Sequence, residues 1–331
     1  MQGARLPLCR RYVQIVDVAE WYRFFAEVEA KESSPTYRVL ANGVADDEVV
    51  LGHLARLPAA KRQPNLLFAA VQFLDGPTAD WREFRRFMLS RWDDIAELMA
   101  TRSTQTNEAA RCASFLPVLA SIRSPIALIE VGAAAGLCLF PDRYSYSYSH
   151  TVVGDSPVRI DVECTGAVPV PVEMPDICWR RGIDLNPLDV TVPADVKWLR
   201  ACIWPEHDER RDRLKRAVRI AADDPPTIIA GDLNSEIDAV LASAPTDAVI
   251  VVFHSAVLAY LAVEQRQAFA ENMTSRHDVL WLSNESPGVI ADLASPQRSL
   301  KPNAFLLGRN GTEVLAHTDP HGTWLDWIAP I

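Results

Sequence analysis

The sequence predicts an α/β protein with a mostly parallel sheet behind an N-terminal helical region. Short apolar runs that end in acidic or polar residues recur through the second half of the chain, which is typical of buried parallel strands. The first of these runs leads into a turn of small residues, as a strand does at a ligand-binding site. The chain before them instead spaces its apolar residues at helical intervals.

Residues 1–122 are predicted to form the helical region. The apolar side chains from Val18 to Val28 recur at helical spacing, and Ser33-Ser34-Pro35 ends that run. Large apolar groups at such spacing indicate the core of a helical bundle. Three further apolar segments follow, at residues 66–74, 81–95 and 107–122.

The first predicted strand covers residues 126–131 and includes Glu130 near its end. The turn Gly132-Ala133-Ala134-Ala135-Gly136 follows. Glycine and alanine let the backbone approach a ligand closely, and we expect a following helix to point its free N–H groups at that ligand. The residues that we expect to form this part of a ligand site are Glu130, Gly132, Ala134 and Gly136.

Acids also end the next two predicted strands. Asp184 lies within the element Gly182-Ile183-Asp184-Leu185-Asn186-Pro187, whose proline marks a helix start. An acid at the tip of the second strand accepts hydrogen bonds from ribose hydroxyls in nucleotide-binding α/β folds. Asp232 follows the apolar run 227–230. Helix capping is the alternative role for Asp184, and the role of Asp232 is equally open.

Two further buried strands are predicted at residues 248–255 and 278–285, and the first of them ends in His254 and Ser255. Apolar runs at 304–307 and 313–316 flank Asn310-Gly311, which predicts a hairpin turn.

An insertion is expected between the first two strands, at residues 140–178. The separation of Glu130 from Asp184 is 184 − 130 = 54 residues, well beyond the ~20 residues usual in nucleotide-binding folds. Period-two alternation at residues 144–148 and 158–162 predicts an antiparallel strand pair within this insertion.

Five parallel-type strands followed by a hairpin resemble the Rossmann-like fold of the class I S-adenosylmethionine-dependent methyltransferases, over residues 120–331. The resemblance implies a domain spanning 123–331 that uses S-adenosylmethionine as its cofactor. It further implies that the loop from Glu130 to Gly136 holds the methionine part, Asp184 the ribose and Asp232 the adenine amino group. The middle glycine of the usual loop is Ala134 in this chain.

The whole chain also resembles a bacterial family known only as a domain of unknown function. The family patterns E-x-G-A-S-A-G-L-N-L, D-R-Y and G-I-D-L-N-P-L-D correspond to residues 130–139, 142–144 and 182–189. The serine and asparagine of the first pattern are Ala134 and Cys138 here. If those polar groups bind a ligand in relatives, this chain differs from them in ligand or activity.

Residues outside the loop are candidates for the chemistry. His254 is the candidate general base, which would remove a proton as the methyl group arrives, and the alternative is a buried histidine bonded to the backbone. Tyr260 is a candidate substrate contact. Asn107 and Arg111 are four residues apart and would share a helix face. There they could bind the substrate, and Arg111 could hold a carboxylate group of the substrate. The alternative for this pair is a helix cap with a surface ion pair.

The favoured function is methyl transfer from S-adenosylmethionine to a small-molecule acceptor. A non-catalytic ligand-binding or regulatory protein on the same scaffold is an alternative, motivated by Ala134 and Cys138. A hydrolase using His254 and Ser255 is a further alternative, although no G-x-S-x-G motif surrounds the serine.

Composition restricts the partners. A net charge of −10 argues against non-specific binding to nucleic acid or anionic membranes. The sequence has neither a run of ~18 apolar residues nor a signal-peptide pattern, and its cysteines lack a C-x-x-C motif, so we expect a reduced, cytoplasmic protein. Pro320 and Gly322 interrupt the helix that would align His317 with His321, so no metal site is expected. Nothing in the sequence indicates the oligomeric state.

Overall fold

The structure is a computed structural model and describes residues 17–294 and 300–329. The chain divides into two compact units. Among the described residues, one unit contains 17–106 together with 192–212, and the other contains 107–191, 213–294 and 300–329. The sequence-based boundary at 122 differs from this division, because residues 107–122 belong to the unit that contains the sheet.

The first unit is helical. Side chains that accept backbone N–H groups begin several of its helices, among them Ser34, Asp47 and Asp80. The unit also contains a π-helical turn at Phe25–Glu29 and a 3₁₀ turn at Ala59–Lys61. The α-helices are Val18–Phe24, Pro35–Ala45, Glu48–Leu54, Pro64–Phe73, Trp81–Ser90, Trp92–Thr101 and Pro193–Ala201.

Aromatic rings fill the core of this unit, in agreement with the aromatic stripes in the sequence. Phe68 is fully buried and contacts the rings of Tyr22, Phe25, Tyr37 and Phe84 at centroid distances of 4.6–6.2 Å. Such tilted and edge-on pairs stabilise a core beyond the area that they bury. The stripes are therefore structural.

The second unit is built on one sheet of eleven strands in the order β3-β2-β4-β11-β10-β9-β8-β7-β1-β5-β6. The neighbours β6, β5, β1, β7 and β8 are all parallel. The strands are β1 Ile126–Val131, β2 Ser145–Tyr148, β3 Thr151–Val153, β4 Arg159–Thr165, β5 Ile177–Asp184, β6 Thr227–Ala230, β7 Val249–Ser255, β8 Val279–Glu285, β9 Phe305–Arg309, β10 Glu313–Thr318 and β11 Trp324–Trp327.

The order of the five parallel strands places a topological switch point between β1 and β7. Numbered along the chain, these strands run 3-2-1-4-5, which is the order of doubly wound sheets. The chain goes from β1 toward one edge of the sheet and from β7 toward the other. Ligands of such sheets bind in the crevice outside the carboxyl ends of the strands at this point.

Helices cover both faces of the central strands. On one face, the helices Leu233–Ala242 and Val263–Thr274 pack through buried side chains against β1, β7 and β8. On the other face, Phe115 of helix Cys112–Leu119 contacts Phe253 of β7 at 5.0 Å between ring centroids. Helix Asp208–Asp223 begins in the first unit and ends in the second.

The predicted strands and the terminal hairpin are confirmed, with Asn310 and Gly311 in the left-handed conformation at φ 49° and 73°. The predicted antiparallel pair of the insertion is wrong. β2 and β4 pair in parallel, because the intervening strand β3 takes the antiparallel position on β2. Within the described residues, no helix combines the length and the apolar composition needed to cross a bilayer.

Two predicted helix starts are also wrong. The helix that follows β5 begins at Pro193, whose first-turn position suits proline, and Pro187 lies in irregular structure. The turn after β1 leads into two 3₁₀ turns, Leu137–Leu139 and Pro141–Arg143, and then into β2. No α-helix therefore points its N-terminus at a ligand from this turn.

Candidate functional site

The loop after β1 is bonded to the end of β5 and turns through left-handed residues. Gly132, Ala134 and Gly136 have φ values of 71°, 51° and 71°. The N–H groups of Gly132 and Ala133 both donate to the carbonyl oxygen of Ile183, at 2.8 and 3.1 Å. The loop therefore bends across the tip of β5 and closes over it.

Asp184 holds the same loop through its carboxylate. Oδ2 accepts a hydrogen bond from the N–H of Ala134 at 2.8 Å, and Oδ1 accepts one from the N–H of Asn186 at 2.8 Å. The carbonyl oxygen of Asp184 also accepts from the N–H of Gly231, at 3.0 Å. The loops after β1, β5 and β6 therefore meet at this residue, and its partly exposed carboxylate shapes the crevice.

Asn107 braces the loop from the other side. Its Nδ2 donates to the carbonyl oxygen of Ala133 at 3.2 Å, and its Oδ1 accepts from the N–H of Leu137 at 3.0 Å. Both ends of the side-chain amide are thus used within the protein. The structure places Asn107 beside the predicted cofactor loop, bonded to the loop itself.

Glu130 lies beneath the loop and is 6% exposed. Its Oε2 has no hydrogen-bond partner, and burial, reinforced by the nearby Cys138, raises the pKa of the carboxyl well above its usual range. Asp184 raises this pKa further, and the nearby guanidinium of Arg111 lowers it. Glu130 pairs in register with Gly182 of β5, two residues before Asp184.

Arg111 joins two other loops at the carboxyl edge of the sheet. Its Nε donates to the carbonyl oxygen of Pro320 at 2.9 Å, and one terminal nitrogen donates to that of Ser255 at 3.1 Å. The side chain is 9% exposed and lies in a 3₁₀ turn, Ala109–Arg111. The predicted i, i+4 helix face with Asn107 is therefore absent, and the two residues reach this edge separately.

Asp232 caps the helix that follows β6. Its Oδ1 accepts a hydrogen bond from the N–H of Asn234 at 2.9 Å, as expected of an N-cap. Across the described part of the chain, Oδ2 of this half-buried residue accepts no hydrogen bond. The structure therefore gives Asp232 the capping role that the sequence left open, and leaves one oxygen for a ligand.

His254 lies on the other face of the sheet from Glu130. Glu130 is paired with Phe253, and successive strand residues point to opposite faces. The fully buried His254 accepts a hydrogen bond at Nε2 from Nε1 of Trp281 at 3.0 Å, and its Nδ1 lies 2.8 Å from Oε1 of Glu285. Because an indole N–H only donates, the imidazole proton must be on Nδ1.

The histidine is buried, as in the alternative interpretation, but both ring nitrogens are hydrogen-bonded to side chains and not to the backbone that the sequence analysis expected. Oε1 of Glu285 also accepts the N–H groups of Val257 and Leu258, at 2.8 and 3.0 Å. The chain from Trp281 through His254 to Glu285 thus fixes the turn after β7. A general base needs a nitrogen open to the substrate, and Trp281 occupies the acceptor nitrogen.

The hydrolase alternative conflicts with the alternation of side-chain directions along β7. Ser255 follows His254 directly in β7, so their side chains point to opposite faces. The Ser255 hydroxyl instead accepts from Nδ2 of Asn284 at 3.2 Å, and Oδ1 of Asn284 accepts from the hydroxyl of Thr318 at 2.6 Å. A nucleophile needs an adjacent base within hydrogen-bond reach, and His254 does not provide one.

Two exposed large side chains follow the strands that flank β1. Tyr260 is 88% exposed in a 3₁₀ turn after β7, and Leu185, directly after Asp184, is 66% exposed. Both residues follow strands that flank β1, so they lie on either side of the loop. The predicted role of Tyr260 as a substrate contact stays a prediction.

In residues 17–294 and 300–329, no group of three or more His, Cys, Asp or Glu side chains is placed to hold a metal ion. His317 lies in β10, and its Nδ1 is 3.8 Å from Oδ2 of Asp326 in β11. The pair His317 and His321 therefore does not belong to a helix, in agreement with the sequence analysis.

Three buried polar residues at this edge were not singled out from the sequence. Glu285, Asn284 and Glu108 are at most 5% exposed, and each bonds a loop of the site or a neighbour of that loop. Glu285 ends an apolar strand as Glu130 nearly does, so a search for acids at strand ends would have found it. No comparable signal marks Asn284 or Glu108.

Comparison with known families assigns the chain to one of them. Residues 19–327 match the family described as "uncharacterized protein conserved in bacteria (DUF2332)". The chain belongs to this family. The sequence-based resemblance to a bacterial family of unknown function is thereby confirmed, and the description of the family names no reaction. A search of curated proteins finds no match to the sequence.

Proposed function

We propose that this protein binds S-adenosylmethionine at the carboxyl edge of β1, β5 and β6 and transfers its methyl group to a small-molecule acceptor. Sheets of this strand order bind ligands at their switch point. Three acids lie at that edge, near the ends of three adjacent strands: Glu130, Asp184 and Asp232. Carboxylates in such positions can accept hydrogen bonds from ribose hydroxyls and an adenine amino group.

The hydrogen bonds of the loop N–H groups determine which class of ligand we propose. The N–H groups of Gly132, Ala133, Ala134, Gly136 and Leu137 all donate to acceptors of the protein. A phosphate needs several converging N–H groups, usually at a helix N-terminus. The loop lacks such converging free N–H groups. This supports an adenosine-containing ligand without a phosphate group, and not a nucleotide or dinucleotide.

The charge of the edge supports a cationic ligand. Asp184 and Asp232 supply two carboxylates, whereas burial raises the pKa of Glu130 and favours its neutral form. Within the described residues of this edge, Arg111 is a buried counter-charge. S-adenosylmethionine carries a sulfonium and an ammonium group, which such an edge attracts. In methyl transfer the protein mainly aligns donor and acceptor. His254 supports the turn after β7 in this proposal and is not its base.

A non-catalytic ligand-binding role is the second candidate, favoured by the position of His254. The predicted base is buried with both nitrogens bonded, and within the described residues no other histidine lies at the end of a central parallel strand. A methyl-transfer assay separates the two candidates. Binding of S-adenosylmethionine without transfer to any acceptor in a broad small-molecule screen would support the second one.

Isothermal titration with S-adenosylhomocysteine tests the proposed ligand. The informative variant is Asp232→Ser, because serine keeps the helix cap and removes only the carboxylate. Loss of a hydrogen bond to a charged group costs about 1.5–3 kcal/mol, so we expect affinity to fall at least about tenfold. The matched control is Asp80→Ser, the same change at the cap of helix Trp81–Ser90 in the other unit.

The expected result is binding by the wild type and by Asp80→Ser, with weakened binding by Asp232→Ser. NAD should give no heat with any of the three proteins, because the loop offers no phosphate site. The proposal is wrong if the wild type binds neither S-adenosylhomocysteine nor S-adenosylmethionine, whether or not it binds NAD.

A further inference from the structure

The middle residue of the cofactor loop is held in an unfavourable backbone conformation. Ala134 has φ 51°, in the left-handed region that side chains with a Cβ rarely adopt. It is 5% exposed and follows the buried Ala133. A strained residue keeps its conformation only when its surroundings determine it strongly. The groups that bond this part of the loop are therefore part of the site.

Two side chains from distant parts of the sequence hold the loop around Ala134. Asp184 accepts the N–H of Ala134 itself. Asn107 bonds the residue before it and the residue three positions after it, through Ala133 O and Leu137 N. The loop is thus fixed at its centre and on both flanks by two polar side chains.

Asn107 is itself held in place by its neighbour. The carboxylate of Glu108 accepts the N–H of Ala110 at 3.1 Å and pairs with Nε of Arg213 at 2.7 Å. The thiol of Cys138 donates to the carbonyl oxygen of Glu108 at 3.3 Å. Residue 108, next to Asn107, is therefore bonded both to Arg213 and to Cys138 just after the loop, which helps to hold Asn107 in place.

We propose that Asn107 is a positioning residue, which together with Asp184 keeps the loop 132–137 in its ligand-binding form and does not contact the ligand. The role differs from that of a substrate contact, because both ends of the amide are bonded to the loop. The inference rests on the proposed function only for the identity of the ligand. The bracing of Ala134 is a property of the loop and can be measured without a ligand.

The test combines Asn107→Ala with Ala134→Gly, alone and together. Removing the brace should lower the affinity for S-adenosylhomocysteine about tenfold, the fold-change that corresponds to about 1.4 kcal/mol. Glycine adopts the left-handed conformation without the penalty of a Cβ. Ala134→Gly should therefore restore most of the affinity in the double variant. If Asn107 contacted the ligand directly, Ala134→Gly would restore nothing.

Amide hydrogen exchange gives the second measurement and needs no ligand. The acceptor of the Ala134 N–H is Asp184, which Asn107→Ala leaves intact, so faster exchange at Ala134 in that variant reports the lost brace. The matched control is Asn272→Ala, which removes an amide bonded to Asp238 far along helix Val263–Thr274. It should change neither the affinity nor the exchange of Ala134.

Unchanged exchange at Ala134 in Asn107→Ala would overturn the inference, whatever the ligand. Absence of rescue by Ala134→Gly, with weakened binding in Asn107→Ala, would also overturn it in favour of direct contact. If the wild type does not bind S-adenosylhomocysteine, the proposed function fails, and the exchange of Ala134 still decides whether Asn107 braces the loop.

Discussion

Gly132 is the point at which the loop after β1 touches the turn after β7, and its replacement by alanine should be strongly destabilising. Its φ of 71° is left-handed, and a Cβ at this position would lie 2.4 Å from Cγ2 of Val257 and 2.9 Å from Cγ1. The left-handed conformation costs a residue with a Cβ about 1–2 kcal/mol. Overpacking adds about 1–3 kcal/mol. We therefore expect Gly132→Ala to lower the free energy of unfolding by about 2–5 kcal/mol.

Gly288 provides the matched control for this prediction. Its φ is 81°, and a Cβ there would meet no heavy atom within 4 Å. Gly288→Ala should therefore show only the conformational cost of about 1–2 kcal/mol. Urea denaturation of the full chain compares the two variants, and Val257→Ala in the Gly132→Ala background should recover part of the loss. Equal losses in the two glycine variants, or no recovery with Val257→Ala, would refute the reasoning.

Two further predictions concern buried polar groups. Burial raises the folded pKa of Glu130, so its contribution to stability is fully present below the unfolded pKa of about 4.3 and is lost as pH rises toward the folded value. From pH 5 to pH 8, urea denaturation should therefore show a smaller decrease in the free energy of unfolding for Glu130→Gln than for the wild type. The control Glu271→Gln, at an exposed position, should follow the wild type. Parallel pH dependences in all three proteins would contradict this prediction. Trp281→Phe removes the only donor to Nε2 of His254 within the described residues and should lower the free energy of unfolding by about 2 kcal/mol. A change in the free energy of unfolding below about 0.5 kcal/mol is within the range of ordinary surface substitutions. It would contradict a stabilising role for the hydrogen bonds that link Trp281, His254 and Glu285.

Local sequence patterns predicted the strands of the sheet well, because the central strands β1, β7 and β8 are largely buried and are therefore continuous apolar runs. The runs that end near Glu130, Asp184 and His254 are β1, β5 and β7. The Asn310-Gly311 turn could also be predicted, because a two-residue hairpin turn requires left-handed residues. Once these strands are predicted, the positions of the acids at their ends are predicted as well.

The roles of the polar side chains depended on contacts that local patterns do not encode. Asn107 bonds Ala133 across 26 residues, and Trp281 bonds His254 across 27. One error was avoidable. Consecutive residues of a strand point to opposite faces, so His254 and Ser255 could have been separated from the sequence once β7 had been predicted.

The helix expected after the glycine loop was wrong for a different physical reason. Gly136 is left-handed, and the N–H of Leu137 is taken by Asn107, so the chain continues into 3₁₀ turns. A distant side chain thereby decides the structure of the segment. The same hydrogen bonds to protein acceptors are the reason that we propose a ligand without phosphate for this loop.

The most direct test of the central claim is amide hydrogen exchange of the full chain with and without saturating S-adenosylhomocysteine. The account predicts added protection confined to the loops after β1, β5 and β6, at residues 132–138, 184–188 and 231–234. Protection elsewhere in the chain without any in these loops, or no change in these loops at saturation, would contradict it.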